Sequence, residues 1–159
     1  MGDKIKVIMD CDPGIDDGIA LAYAAAHQDE LELLAVTTFA GNNTIDKVTK
    51  NALELVDFYG LNVPVARGQE RPLVKEVLHA EEFHGETGLG HCVLPEAKSE
   101  TASDNAVLFI RELLNRLPEG EQVIMIETAP MTNLALLLKV FPEIKNKIRK
   151  IVFTGGAAK

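Results

Sequence analysis

KIKVIMDCDPGIDDGIALAYAAAH, residues 4–27, contains the change of pattern that decides the fold. Residues 4–10 form a short apolar run that ends abruptly in polar residues, which reads as a buried strand. Residues 15–27 are Ala-rich and apolar nearly all round, which reads as a buried helix. The pattern then recurs. LELLAVTTFAG, residues 31–41, repeats the strand signal. Residues 43–60 follow with Ile45, Val48, Ala52, Leu55, Val56 and Tyr59 at helical spacing, stopped by Gly60.

VPVARG, residues 63–68, is a third, shorter strand signal. Residues 68–98 carry little periodicity and much Gly, Glu and His, so they read as a long loop with a short helix near residues 74–78. Helix signals resume at TASDNAVLFIRELLNRL, where Thr101 with Asp104, or Ser103 alone, can cap the first turn. Ala106, Ile110, Leu113, Leu114 and Leu117 mark its buried face. QVIMIE then reads as a strand, TAPMTNLALLLKVF as a loop and helix, and KIVFTGG as a last strand. Strands alternating with helices imply parallel pairing and right-handed crossovers. The expected fold is a single α/β domain over residues 1–159, an open, mostly parallel sheet with helices on both faces.

Composition narrows the function. With 159 residues, 47% of them apolar, the chain can bury roughly 70% of its unfolded surface around one core. A net charge of −8 and the lack of any Lys/Arg run argue against a nucleic-acid partner, whose nonspecific affinity comes from clustered cations. Cys11 and Cys92 lie far apart and suggest neither a disulfide framework nor a metal cage, in keeping with a reducing compartment. The first residues run straight into an apolar stretch too short for a signal peptide, so a cytoplasmic location is expected. MGDKIK begins like a myristoylation signal, but Lys6 stands where Ser or Thr is wanted. No stretch approaches the ~20 apolar residues of a membrane helix. The sequence halts at GGAAK, where an α/β unit would begin its next helix, and a truncated domain is expected.

In open α/β sheets, ligands collect outside the carboxyl ends of the strands. DCDPGIDD, TTFAGNN, ETAPMTN and FTGG all follow strand signals, and HGETGLG can fold over the same edge. The first stretch is the most demanding. Asp10, Asp12, Asp16 and Asp17 place four carboxylates within eight residues, and the helix start favours negative charge by only a fraction of a kcal/mol. Carboxylates so crowded raise one another's pKa or recruit a cation, and hard oxygen donors suit Ca²⁺ or Mg²⁺. An EF-hand is excluded by spacing, because the places for its Gly and Glu hold Ile15 and Leu21. A haloacid-dehalogenase-like phosphatase over Mg²⁺ is a competing reading of Asp10 and Asp12. Gly14 departs from that motif, and Asp16 and Asp17 are left without a role.

DCDPGIDD, followed by TTFAGN, HGETG, APMTNLA and FTGG in that order, resembles the N-terminal half of a nucleoside hydrolase of the inosine-uridine-preferring type. The resemblance implies a Rossmann-like fold, roles in purine or pyrimidine salvage, and hydrolysis of the N-glycosidic bond of a ribonucleoside to nucleobase and ribose. It implies a Ca²⁺ ion held by Asp12, Asp17 and the backbone carbonyl of Thr132. Asp12 would also be the general base toward a calcium-bound water. Asp16 would accept hydrogen bonds from the ribose hydroxyls, Asn42 would orient the sugar, and His84 would lie near the substrate. Asp10 would orient the groups that touch the ion. A homo-oligomer, dimer or tetramer, is implied as well. Ala129 and Thr154 depart from the glycine and methionine usual in the family. The family's fourth protein ligand, its leaving-group histidine and the Asn/Glu set that grips the ribose are expected beyond residue 159. The alternative is therefore an inactive fragment that binds metal weakly or pairs with another chain. His27, His79 and His91 fit no pattern, and Met125 and Met131 read as packing residues.

Overall fold

A computed structural model describes residues 4–156; the myristoylation-like start and the final residues of GGAAK lie outside that span. The sheet has five strands, β1 (Ile5–Cys11), β2 (Leu31–Thr38), β3 (Val65–Ala66), β4 (Val123–Glu127) and β5 (Ile148–Phe153), in the spatial order β3-β2-β1-β4-β5. Every pairing is parallel. Parallel neighbours need crossovers, and the helices supply them: α1 (Ile15–Ala26), α2 (Ile45–Phe58), α4 (Ala106–Asn115) and α5 (Thr132–Val140). A four-residue helix, α3 (Glu81–His84), lies in the long loop, and a 3-10 helix (Pro142–Lys147) precedes β5.

Alternation along the strands assigns the two faces. Ile8, Ala35 and Met125 pack with Ile110 and Leu114 of α4 and Leu134 and Leu137 of α5. Met9, Cys11 and Val36 point the other way, onto Leu21 of α1 and Ala52, Leu55 and Val56 of α2. Helices therefore cover both faces. The chain winds outward from β1 in one direction on the first layer, then returns to β4 and winds in the other direction on the second.

Three local expectations are corrected. α1 is not buried all round: Leu21 and Ala24 face the sheet, but Ile15, Ile19 and Tyr23 are exposed, because the helix lies on the outer surface of its layer. No helix forms at residues 74–78. Leu73, Val74 and Leu78 have no core to pack on and stay exposed, and the helical turn comes later, at α3. α4 is capped by none of Thr101, Ser103 or Asp104. The cap is Asn105, whose Oδ1 accepts from the Leu108 amide at 3.1 Å, while Ser103 Oγ accepts from the Asn105 amide. The cysteines are both free, Cys11 buried and Cys92 exposed. Among the described residues no helix is long and apolar enough to cross a membrane.

Candidate functional site

β1 and β4 are sheet neighbours whose following helices leave on opposite faces, so a crevice opens between the loops beyond their carboxyl ends. The Asp-rich turn follows β1, and the segment 128–131 follows β4. A cleft of about 450 Å³ occupies that crevice, lined by Asp12, Asp16, Asn42, Thr128, Pro130 and the 153–156 turn. Four of the strand-end segments singled out in the sequence thus meet at one edge.

The Asp-rich turn does not splay into solvent. Asp10, Asp12 and Asp17 are buried, and Asp16 alone is exposed. Asp12 is held at both ends: its Oδ2 accepts from the Asn42 amide at 2.7 Å, and its carbonyl accepts from Asn42 Nδ2 at 3.0 Å. Its own amide donates to Asp17 Oδ2 at 3.0 Å. Gly41 is required for this approach, since a Cβ there would stand 1.9 Å from Asp12 Oδ2. Asp12, Asp17 and Asn42 therefore form one unit, drawn from two loops and the first turn of α1.

Burial, and next the charge of Asp17, push the Asp12 carboxyl up to about 8. Burial also raises Asp17, against the Thr128 hydroxyl, which favours its charged form. None of the ion pairs among the described residues reaches Asp10, Asp12, Asp16 or Asp17. Buried carboxylates without a cationic side chain are the condition under which a bound cation is favoured. The donors are hard oxygens, as Ca²⁺ prefers. Among the described residues, however, no group of three or more His, Cys, Asp or Glu side chains is gathered to hold a metal. Asp12 and Asp17 are the buried carboxylates beside the cleft, and exposed Asp16 lines it with Asp12.

Thr132 opens α5, is buried, and lines a second groove with Phe39, Gly41 and Pro130 that adjoins the first cleft. His84 lies over Gly14, and its Nδ1 accepts from the Ile15 amide at 3.3 Å. It belongs to a set of contacts that pins residues 80–90 onto the turn. Ala80 N donates to the Asn42 carbonyl at 2.9 Å, and Asn51 Nδ2 donates to the carbonyls of Pro13 and Thr87 at 3.0 and 2.8 Å. Asn43 Nδ2 reaches the Glu86 carbonyl at 3.1 Å. The glycine-rich loop is closed down on the site. His79 bonds the Gly41 carbonyl through Nδ1, a contact its sequence context gave no hint of.

Asp10 lies below the cleft at the end of β1. Its Oδ1 accepts from Thr37 Oγ1 at 2.5 Å and from Asn133 Nδ2 at 2.8 Å. Asn133 Nδ2 also reaches the Thr38 carbonyl at 2.9 Å, and its Oδ1 accepts from the Gln69 amide at 3.0 Å. Asn133, Asn51 and Glu127 were missed in the sequence. The available signal was polarity at core positions: Asn51 and Asn133 fall on the apolar faces of α2 and α5, and Glu127 ends a strand that is otherwise apolar.

The chain is similar to known proteins along nearly its whole length. The profile of the inosine-uridine preferring nucleoside hydrolase family matches residues 7–159. The pyrimidine-specific ribonucleoside hydrolase RihA of Shewanella sp. is 45% identical over 153 residues, 96% of this chain and 47% of that protein. The non-specific ribonucleoside hydrolase RihC of Escherichia fergusonii is 41% identical over 155 residues, 98% of this chain and 50% of that protein. Among solved structures, the purine-preferring ribonucleoside hydrolase from Gardnerella vaginalis superposes with a TM-score of 0.86 at 34% identity, covering 96% of this chain and 49% of that one. The chain spans about half the length of the relatives it matches. The order of its motifs, the parallel sheet and the match across nearly its full length place this chain in the inosine-uridine preferring nucleoside hydrolase family.

Proposed function

We propose that residues 1–159 form a single α/β domain carrying the strand-end half of a ribonucleoside hydrolase site, which cleaves the N-glycosidic bond to release nucleobase and ribose. The observation that carries this reading is the buried Asp12–Asp17 pair, locked by Asn42 at the mouth of the β1/β4 crevice and joined by none of the ion pairs among the described residues. Asp12, Asp17 and the Thr132 carbonyl would hold Ca²⁺. When bound, the ion would supply positive charge that keeps both carboxylates ionised and acidifies water near them.

The protein's own groups divide the remaining work. Asp12 takes a proton at its carboxylate, and with a pKa of about 8 it is mostly protonated at neutral pH unless a cation offsets Asp17. The base and the ion therefore depend on each other. Asp16, exposed on the cleft wall, accepts from the ribose hydroxyls. A substrate without one of these hydroxyls forgoes its hydrogen bond to Asp16, which favours ribose over deoxyribose. Asn42 orients Asp12 and, through it, the sugar. His84 uses Nδ1 as an acceptor, which leaves its proton on Nε2 as a donor for the substrate. Positive charge develops on the sugar as the glycosidic bond breaks, and the carboxylate-lined wall stabilises it.

The three relatives named above are described as pyrimidine-specific, non-specific and purine-preferring. The proposal is therefore for ribonucleosides as a class and assigns no particular base. A cytoplasmic location and a homo-oligomeric state belong to the same reading. The phosphatase alternative is disfavoured, because its nucleophile would be Asp10, which is wholly buried and already accepts two hydrogen bonds.

The test is nucleobase release from inosine and from uridine by the 159-residue chain. Release that is abolished by a chelator and by Asp12→Ala supports the proposal. A folded chain that binds Ca²⁺ and releases no base contradicts catalysis by this half alone.

A further inference from the structure

Glu127 is wholly buried, and neither of its carboxylate oxygens has a hydrogen-bond partner. It stands directly opposite Asp10 in the β1/β4 register, with its side chain on the same face of the sheet. Asp10 is equally buried, and the two differ in their company. Asp10 Oδ1 receives hydrogen bonds from Thr37 and Asn133, the pattern that stabilises an ionised carboxylate, while Asp10 Oδ2 has no donor. Glu127 receives none. Two ionised carboxylates facing each other in the core would be driven apart, and none of the ion pairs among the described residues involves either of them.

We propose that Glu127 is a positioning residue, whose carboxyl group keeps its proton and donates it in a hydrogen bond to Asp10 Oδ2. One proton then joins the orphaned Asp10 Oδ2 to one of the two orphaned Glu127 oxygens. Burial, followed by the neighbouring Asp10, pushes the Glu127 carboxyl up to about 9, in agreement with the geometry. With both oxygens engaged, Asp10 cannot rotate. It ties β1 to β2 through Thr37, to β4 through Glu127, and to α5 through Asn133. Asn133 adjoins Thr132, and Asp10 is two residues from Asp12. The hydrogen bond from Glu127 thus fixes the separation of the two loops that the proposed ion site bridges. The donor role stands on this geometry alone; only its consequence at the ion rests on the proposed function.

The test compares wild type with E127Q and E127L, all as the 159-residue chain. E127Q keeps a permanent N–H donor, and E127L removes it. Difference infrared spectra at pH 7 without metal are expected to show, beside the Asp12 signal common to both, a protonated carboxylic-acid carbonyl band in wild type that E127Q lacks. Loss of carboxylate absorbance in E127Q instead would overturn the proposal. In thermal melting, E127Q is expected at or above wild type and E127L below both; equal melting of E127Q and E127L would overturn it too. Calcium titration at a temperature where all three are folded separates positioning from mere stability. E127L is expected to weaken binding about tenfold or more while E127Q matches wild type. Should wild type fail to bind Ca²⁺, the calcium reading fails, and the infrared and melting results still decide the role of Glu127.

Discussion

At the scale of single residues, the site depends on close approach and on polar atoms that leave no spare partner. Gly41→Ala would drive a methyl group into Asp12 Oδ2, so a folded variant that has lost its calcium-dependent rise in melting temperature is expected, with overpacking costing ~1–3 kcal/mol. Calorimetry with and without Ca²⁺ checks both parts. Asn133→Ala strips donors from Asp10 Oδ1 and the Thr38 carbonyl and the acceptor from the Gln69 amide. Asp10 Oδ1 keeps Thr37 and the Gln69 amide is only half-buried, so denaturant unfolding should show a loss of ~1–3 kcal/mol, on the order of one orphaned buried group. The Asp-rich turn was legible in the sequence because four like charges at a strand end demand an explanation in any fold. Asn51, Asn133 and Glu127 were not, because their partners are 36 to 123 residues away and no local pattern announces such pairings.

At the scale of elements, periodicity identified every strand and every long helix, since burying one face of a crossover helix imposes a spacing the chain must carry. What it does not encode is how far a helix sinks. α1 looked buried throughout because alanine is apolar on every side, yet its outer face keeps Ile19 and Tyr23 in solvent. Caps are chosen by local dihedrals, and several polar residues competed for the start of α4. Asn105→Ala should cost 0.5–2 kcal/mol in urea unfolding, on the order of one N-cap, whereas Thr101→Ala should cost almost nothing. The loop 67–105 resisted reading because hydrogen bonds to residues distant in sequence, the Asn42 carbonyl and the Asn43 and Asn51 side chains, hold much of it in place.

At the scale of the molecule, the order β3-β2-β1-β4-β5 turns one acidic sequence turn into a site, because it sets the end of β1 beside the end of β4, where the two layers diverge. Concentrating buried acid there has a pH signature. Asp12 is raised to about 8 and Glu127 to about 9, above the usual carboxylate range of the unfolded chain. The folded state thus binds more protons than the unfolded one. Metal-free stability should be greatest near pH 4 as far as these groups decide it, and should fall as pH rises toward 8–9, by up to ~1.4 kcal/mol per pH unit for each proton. Melting temperature against pH, with and without Ca²⁺, checks the sign; in saturating Ca²⁺ the slope contributed by Asp12 should vanish, because the ion holds that carboxylate charged.

The measurement that reaches the central claim most directly is a calorimetric titration of Ca²⁺ into the metal-free chain and into Asp12→Asn and Asp17→Asn. Saturable binding of one ion by the parent chain, lost in both variants while each stays folded, is the predicted result. Binding that survives both substitutions, or a folded parent chain that takes up no ion, would contradict it.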